Sequence, residues 1–174
     1  HSQHVISVND ITTYLHQHSR IILKPINGSQ GYGIYYIEKK NKGFLVKIEK
    51  QENVFSRTFS DVAKFQQWQE QIFLKRNYLV QPFLELSDSK SKPFDIRIFL
   101  QKNEVGVWMV RGKGIRIGME EGILSNLSAG GSVMDFSSWF NSVYHVKKDH
   151  IYGELAYILD KLPKLLEQKF LPLF

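Results

Sequence analysis

The sequence contains no cysteine and no long hydrophobic run, and each absence excludes a class of protein. Without cysteine there is no disulfide, no thiolate metal site and no cysteine nucleophile. No apolar stretch approaches the roughly 20 residues of a membrane-spanning helix, and the first residues carry neither the basic nor the apolar part of a secretion signal. We therefore expect a protein without a membrane anchor in a reducing compartment such as the cytoplasm.

Proline and glycine are also scarce. Five prolines and 12 glycines among 174 residues are too few for a fibrous or low-complexity chain, while 43% hydrophobic and 13% aromatic residues suffice for a buried core. The 23 basic and 17 acidic residues give a net charge of +6, which would attract phosphate, carboxylate or an acidic surface. A compact domain with an anionic partner is the expectation.

The hydrophobic pattern predicts an α+β domain that begins with an antiparallel sheet lobe. A short helix capped by Asn9 and Asp10 precedes the first buried strand, which should end at Lys24 before Pro25. Apolar residues at three- and four-residue spacing predict an amphipathic helix over 60–75. Alternating or continuous apolar runs predict strands over 20–24, 34–38, 44–48, 78–81, 94–100 and 105–113.

The remaining part of the chain is predicted to be a loop and a helix. Residues 114–133 are rich in glycine and lack a period, which indicates a long functional loop. Residues 149–170 place leucines and isoleucines on one helical face, and Pro163 should kink or divide that helix. The expected division is a glycine-loop lobe over 1–86 and an incomplete C-terminal lobe over 87–174.

A glycine-rich loop over 28–33 is the first motif that indicates chemistry. It lacks the Gly-Lys-Ser/Thr ending of a P-loop, and a strand follows it where both the P-loop and the dinucleotide fingerprint require a helix. Two interpretations stay open at this point: a plain surface hairpin, or a hairpin whose backbone N–H groups and Ser29 hydroxyl bind phosphate above Lys24.

Further motifs follow this loop in a fixed order: Tyr78-Leu79-Val80-Gln81-Pro82-Phe83-Leu84-Glu85, then Phe94-Asp95-Ile96-Arg97, then Arg116, then Asn126-Leu127-Ser128-Ala129-Gly130-Gly131. With Lys24-Pro25 and the glycine loop, this order resembles the ATP-grasp superfamily from about Ile11 onward. It is most similar to the endospore coat-associated ATP-grasp proteins of spore-forming bacteria, the YheC/YheD type. The implied fold is ATP-grasp-like, with an antiparallel lobe and part of a second one.

The resemblance implies a nucleotide site. Lys24 would contact the phosphates of ATP, and Gln81 would read the adenine amino group where many members carry Glu. The hinge backbone at Phe83 and Leu84 would bind the base, and Glu85 would reach the ribose. The flexible lid over the phosphates would be formed by Gly28, Ser29, Gln30, Gly31 and Gly33.

The resemblance also implies a reaction, with two departures. Arg97, Arg116 and Asn126 would face the transferred phosphoryl group or an acyl phosphate, but Leu124 stands where glutathione-synthetase-type relatives carry Arg. Magnesium is expected in the parent protein, with its acidic ligands outside this chain. Because the chain does not begin with Met and ends on an apolar segment, we expect a piece of a longer protein. Without the metal ligands, this piece should be inactive by itself.

Two functions remain open. One is an ATP-dependent carboxylate–amine ligase acting through an acyl phosphate on an unknown carboxylate or amine. The other is a non-catalytic nucleotide-binding or structural module with spore-coat proteins as partners, which would be cytoplasmic or spore-associated. The basic residues Arg111, Lys113 and Arg116 come without a recognition helix or stacking motif, so nucleic acid is not the expected partner.

Overall fold

The structure is a computed structural model that describes residues 2–5, 7–50, 53–127, 130–143 and 148–169. The chain forms two compact units, and each is made of two stretches of sequence. The first unit comprises His1–Pro93 and Gly118–Ser132, and the second comprises Phe94–Ile117 and Val133–Phe174. The lobes expected over 1–86 and 87–174 remain a prediction.

The first unit is built on a six-stranded antiparallel sheet. Its strands lie in the spatial order β1-β6-β2-β3-β4-β5. Pairing of β2 with β3 and of β3 with β4 confirms the predicted antiparallel lobe. The strands are β1 (Gln3–Val5), β2 (Arg20–Pro25), β3 (Tyr35–Lys40), β4 (Gly43–Lys50), β5 (Asn53–Phe59) and β6 (Tyr78–Pro82).

Two helices, α1 (Val8–Gln17) and α2 (Val62–Phe73), cover one face of this sheet. The Phe65 side chain of α2 is 1% exposed, and its ring stacks on Phe44 of β4 with 4.0 Å between centroids. The periodicity that predicted α2 therefore reflects burial against the sheet. The shared core consists of Ile11, Tyr14, Leu15, Ile21, Leu23, Ile37, Val46, Phe59, Phe65, Ile72, Tyr78 and Val80.

The helix starts differ from the sequence expectation at α1. Asp10 lies inside the helix, at its third position, and its carboxylate accepts a 2.8 Å hydrogen bond from the backbone N–H of the N-cap residue Ser7. The cap predicted at Asn9 and Asp10 was therefore wrong, because the N-cap is Ser7 and Asp10 is its reciprocal partner in the capping box. Helix α2, at Val62–Phe73, lies within the range predicted over 60–75, and the side chain of its N-cap residue Asp61 accepts from Ala63 N–H at 2.8 Å.

The second unit contains a three-stranded sheet in the order β7-β8-β9 and two helices. A small core forms where Ile115 and Ile117 of β8 meet the buried aromatic rings of Phe136, Trp139 and Phe140. None of the helices in the described ranges is long and apolar enough to cross a membrane. The elements are β7 (Phe94–Lys102), β8 (Trp108–Ile117), β9 (Ser132–Asp135), α3 (Phe136–Val143) and α4 (Lys148–Lys169).

Several predicted boundaries in this region were wrong. Strand β8 continues to Ile117 and β9 begins at Ser132, so the loop expected over 114–133 is limited to 118–131. Pro163 lies inside α4 without dividing it. The end expected for that helix at Phe170 lies outside the described residues.

Strand β2 of the first unit also differs from its prediction, because it includes Pro25. Pro25 pairs with Tyr78 at the end of the ladder, where the missing N–H is tolerated.

Candidate functional site

The six-stranded sheet has a second face, turned away from α1 and α2. Leu23 of β2 and Val80 of β6 pair with each other in the helix-covered core, so their neighbours in sequence point the other way. Lys24 and Gln81 therefore lie on the opposite side of the sheet. We call this side the Lys24 face. Lys47 of β4 also lies on it, because it pairs with Tyr36 while its neighbour Val46 is in the core.

The glycine loop connects β2 to β3 at the end of the Lys24 face. Two turns shape it, with Tyr32 N–H donating to Ser29 O at 3.2 Å and Ile34 N–H donating to Gly31 O at 3.3 Å. Gly31 and Gly33 have φ near +80°, a conformation that favours glycine, and Gln30 has φ of 57°. The sequence requirement for glycine at these two positions is therefore conformational.

Lys24 and the loop line one cleft of about 230 Å³. Five predicted site residues line it together with Pro25, Tyr32 and Ile34: Lys24, Gly28, Ser29, Gln30 and Gly31. Ligand pockets usually hold about 300–1,000 Å³, so this cleft is small for a nucleotide. The loop would have to move outward before a triphosphate could lie between it and Lys24.

Asn126 lies against the same loop. A Cβ atom built on Gly31 would collide with the Asn126 side-chain nitrogen and would lie 2.8 Å from Leu124 Cδ1. Both side chains belong to residues 118–127, which we call the 118–127 segment. The structure therefore brings Asn126 to the glycine loop, as the predicted site requires, together with Leu124. Ser128 and Ala129 of the same motif lie outside the described residues.

Glu49 is a residue beside the candidate site that the sequence analysis did not single out. It lies on the Lys24 face near the end of β4 and is only 3% exposed. Its Oε2 accepts hydrogen bonds from the backbone N–H groups of Ile123 at 2.8 Å and Leu124 at 3.0 Å. Burial raises the pKa of this carboxyl above its usual value of 4.5, while the two backbone hydrogen bonds oppose the shift. The alternation of β4 predicts the face of Glu49, but no local signal reveals its distant partners.

Arg97 and Arg116 lie in the second unit, where Asp95 brings them together. Asp95 of β7 pairs directly with Arg116 of β8. Its Oδ1 accepts from Arg116 Nε at 3.0 Å and from Arg97 Nε at 3.0 Å, and its Oδ2 forms a short contact with Arg116 Nη2. One carboxylate thus fixes two guanidinium groups and leaves one net positive charge among the three, which can attract an anion.

The comparisons with known proteins identify the family to which the chain belongs. The YheC/D-like ATP-grasp family matches residues 1–174. The chain belongs to that family. The endospore coat-associated protein YheC of Bacillus subtilis (strain 168) is 32% identical over 164 residues, which cover 94% of this chain and 45% of that protein. The endospore coat-associated protein YheD of the same organism is 27% identical over 159 residues, which cover 81% of this chain and 35% of that protein.

The chain thus spans less than half the length of the curated relatives it matches. No solved structure matches it significantly. The family resemblance drawn from the sequence is confirmed, as is the α+β fold with a large and a small antiparallel sheet. The site residues expected from the resemblance remain predictions of function, although their positions in this YheC/D-like ATP-grasp chain are now defined.

The predicted hinge after β6 is tied to the start of β2. Phe83 N–H donates to Arg20 O at 3.0 Å, so that N–H is not free to bind a base. The Arg20 guanidinium lies 5.5 Å from the centroid of the Phe83 ring and forms a 3.0 Å ion pair with Glu85. Leu84 is exposed. In a YheC/D-like ATP-grasp site, an adenine contact to one of these two hinge N–H groups would have to come from Leu84. Arg20 contacts Glu85 through Oε2.

Magnesium ligands were expected outside this chain. Within the described ranges, no three His, Asp or Glu side chains lie close enough together to hold a metal ion. Magnesium in proteins is held by carboxylates and other oxygen ligands. The residues described for this YheC/D-like ATP-grasp chain do not fit such a site, so no chemistry is assigned to a metal here.

Proposed function

We propose that this chain binds ATP, with the phosphates between the glycine loop and Lys24. The observation that carries the proposal is the common cleft of Lys24, Gly28, Ser29, Gln30 and Gly31, with Asn126 at the loop's edge. A primary ammonium group and backbone N–H groups of a glycine loop are suited to phosphate oxygens. Membership of an ATP-grasp family supports the same ligand.

The wider proposal is that the protein containing this chain is a carboxylate–amine ligase. A substrate carboxylate oxygen attacks the terminal phosphorus of ATP, the bond to ADP breaks, and an acyl phosphate forms. An amine then attacks the carbonyl carbon, phosphate leaves with the bonding electrons, and the nitrogen loses a proton. In this scheme the chain's own residues bind and orient the phosphates, and they stabilise the negative charge that develops during phosphoryl transfer.

Each basic residue has a proposed part in that scheme. Lys24 holds the phosphates of ATP. Arg97 and Arg116, fixed by Asp95, face the acyl phosphate, because two planar guanidinium groups in fixed positions suit a phosphoryl group better than mobile lysines do. Asn126 donates from its amide nitrogen at the loop's edge. With Leu124 near the same edge, that part of the site offers an apolar side chain where an arginine would bind a carboxylate.

A second candidate function is a nucleotide-binding or structural module of the spore coat. The observation that favours it is Leu124, an apolar side chain beside the glycine loop at the position where glutathione-synthetase-type relatives carry Arg. Both relatives are endospore coat-associated proteins, which supports a spore-associated location. Coat proteins would then be the partners, and turnover would be absent.

Titration calorimetry with ATP tests the binding proposal. The full-length protein should bind ATP, and Lys24→Ala should weaken binding by about tenfold, the equivalent of one charge-assisted hydrogen bond of roughly 1.4 kcal/mol. Lys42→Ala, at the exposed turn between β3 and β4, is the matched control and should bind as the wild type does. Equal affinity of Lys24→Ala and wild type would remove Lys24 from the site.

ADP release separates the two candidate functions. The full-length protein is incubated with ATP and Mg²⁺ and screened against amino acids and peptides. Substrate-dependent ADP release that is lost in Arg116→Ala supports the ligase. ATP binding without ADP release for any substrate supports the structural module.

A further inference from the structure

Glu49 is a buried carboxylate without a basic partner among the described residues. Its Oε2 accepts both backbone hydrogen bonds, and its Oε1 has no hydrogen-bond partner in the described part of the chain. Lys47 lies two residues earlier on the same face, yet none of the ion pairs found in the described ranges joins the two. Burial of a carboxylate is costly unless it is paired or hydrogen-bonded, so the two backbone hydrogen bonds are what offset the cost here.

The two bonds join parts of the chain that are far apart in sequence. Glu49 belongs to β4, whereas Ile123 and Leu124 follow 74 and 75 positions later. A Cβ built on Gly122 would lie 3.2 Å from Glu49 Oε2, so a larger residue there would push the carboxylate and the backbone apart. Close approach at Gly122 is therefore part of the same arrangement.

The 118–127 segment carries this attachment onward to the glycine loop. The backbone N–H of Leu124 donates to Glu49, and the Leu124 side chain lies next to Gly31. The Asn126 side chain, two residues later, also lies next to Gly31. A single carboxylate thus connects β4, through two backbone bonds, to the side chains that border the glycine loop. Without the Glu49 carboxylate, the backbone N–H groups of Ile123 and Leu124 would lose their acceptor, which is costly for a buried donor.

We propose that Glu49 is a positioning residue that holds the 118–127 segment against the glycine loop and so sets where Asn126 stands in the ATP site. The inference rests on the proposed ATP binding only for its functional consequence. Its structural part, the attachment of the segment by Glu49, is independent of any ligand.

Three substitutions distinguish the loss of the Glu49 hydrogen bonds from a change in side-chain size. Glu49→Gln keeps an oxygen that can accept both N–H groups, and its amide nitrogen takes the position of the unpartnered Oε1. Glu49→Met has a similar length but no strong acceptor. Glu70→Met, on the exposed side of α2, is the control for replacing a glutamate by methionine in the same unit.

Amide hydrogen exchange in the full-length protein tests the attachment. The Ile123 and Leu124 amides should exchange at least tenfold faster in Glu49→Met and within about threefold of the wild-type rate in Glu49→Gln and Glu70→Met. Amides of Leu23 and Val80 in the core ladder report whether each variant is folded. Unchanged exchange at Ile123 and Leu124 in a folded Glu49→Met protein would overturn the inference.

ATP titration of the same variants tests the consequence for the site. Glu49→Met should bind ATP about tenfold more weakly than wild type, and Glu49→Gln should recover most of the affinity. Equal or tighter binding by Glu49→Met, with faster exchange at Ile123 and Leu124, would overturn the positioning role and leave ATP binding intact. If the wild type binds no ATP, the proposed function fails, and the exchange rates alone decide whether Glu49 holds the segment.

Discussion

Replacement of Gly31 by alanine should destabilise the protein through two separate effects. Gly31 has φ of +80°, and an L-residue in a left-handed conformation costs about 1–2 kcal/mol. The new methyl group would also collide with the Asn126 side-chain nitrogen and come within 2.8 Å of Leu124 Cδ1. Overpacking of this kind costs about 1–3 kcal/mol. We therefore expect Gly31→Ala to lower the free energy of unfolding by roughly 2–5 kcal/mol.

Gly28→Ala is the matched control in the same loop. A Cβ on Gly28 would meet Pro25 Cβ at 3.7 Å, Tyr32 O at 3.9 Å and Pro25 Cγ at 4.0 Å, which are all ordinary contacts, and the φ of Gly28 is outside the left-handed range. The free energy of unfolding should change by less than about 0.5 kcal/mol. Urea denaturation of both variants in the full-length protein provides the comparison.

A double-mutant cycle with Asn126→Ala isolates the contact. Removing the Asn126 amide should relieve the collision, so Gly31→Ala should cost about 1 kcal/mol less in that background. The conformational cost of the left-handed position should remain. Equal destabilisation by Gly28→Ala and Gly31→Ala, or the absence of coupling to Asn126, would refute the placement of Asn126 beside the loop.

Three further predictions concern the core, the arginine pair and pH. Phe65→Ala should lower the free energy of unfolding by about 3–5 kcal/mol. Leu74 is 87% exposed, so Leu74→Ala should change the free energy of unfolding by less than about 0.5 kcal/mol. Chemical denaturation measures both values. Asp95→Ala should lower substrate-dependent ADP release, because Arg97 and Arg116 lose the carboxylate that accepts hydrogen bonds from both. Its ATP affinity, measured by calorimetry, should stay near that of the wild type. A loss of ATP affinity as large as that of Lys24→Ala would contradict these separate roles. The folded-state pKa of Glu49 is raised above 4.5, so the folded state binds this proton more tightly than the unfolded state. The free energy of unfolding of the wild type should therefore fall relative to that of Glu49→Gln as pH rises through the folded-state pKa. Denaturation from pH 4 to 7 measures this difference, and a difference that stays constant with pH would contradict the prediction.

Local patterns predicted the central part of the first unit. The apolar runs of β2, β3 and β4 and the glycines at 31 and 33 specify a hairpin by short-range chemistry, and the spacing of Phe65 and Ile72 specifies α2. Strands β1 and β5 were missed because their residues are mostly exposed and polar, and they exist through pairing with neighbours. Helix α3 was missed because its eight residues are too few to show a clear helical period.

The candidate site divides along the same line. Lys24 and the glycine loop are close in sequence, so their common cleft follows from one hairpin. The arrangement around Asp95 was only half visible, because Arg97 is two residues away on the same strand but Arg116 arrives through the register of β7 with β8. Glu49 and the 118–127 segment could not be paired from the sequence, because backbone N–H groups carry no residue signature.

The discontinuous first unit has a consequence for the order in which the chain folds. Gly118 N–H donates to Pro93 O at 2.7 Å, so the chain leaves the unit and returns to it at adjacent points, with the β7–β8 hairpin between them. During synthesis the six-stranded sheet is complete once β6 has emerged, yet the bonds to Glu49 must wait until residue 124 follows. Contacts of such long sequence separation form late because closing the loop costs entropy. The growing chain would therefore pass through a stage in which Glu49 is still hydrated and the glycine loop has no neighbour from the 118–127 segment.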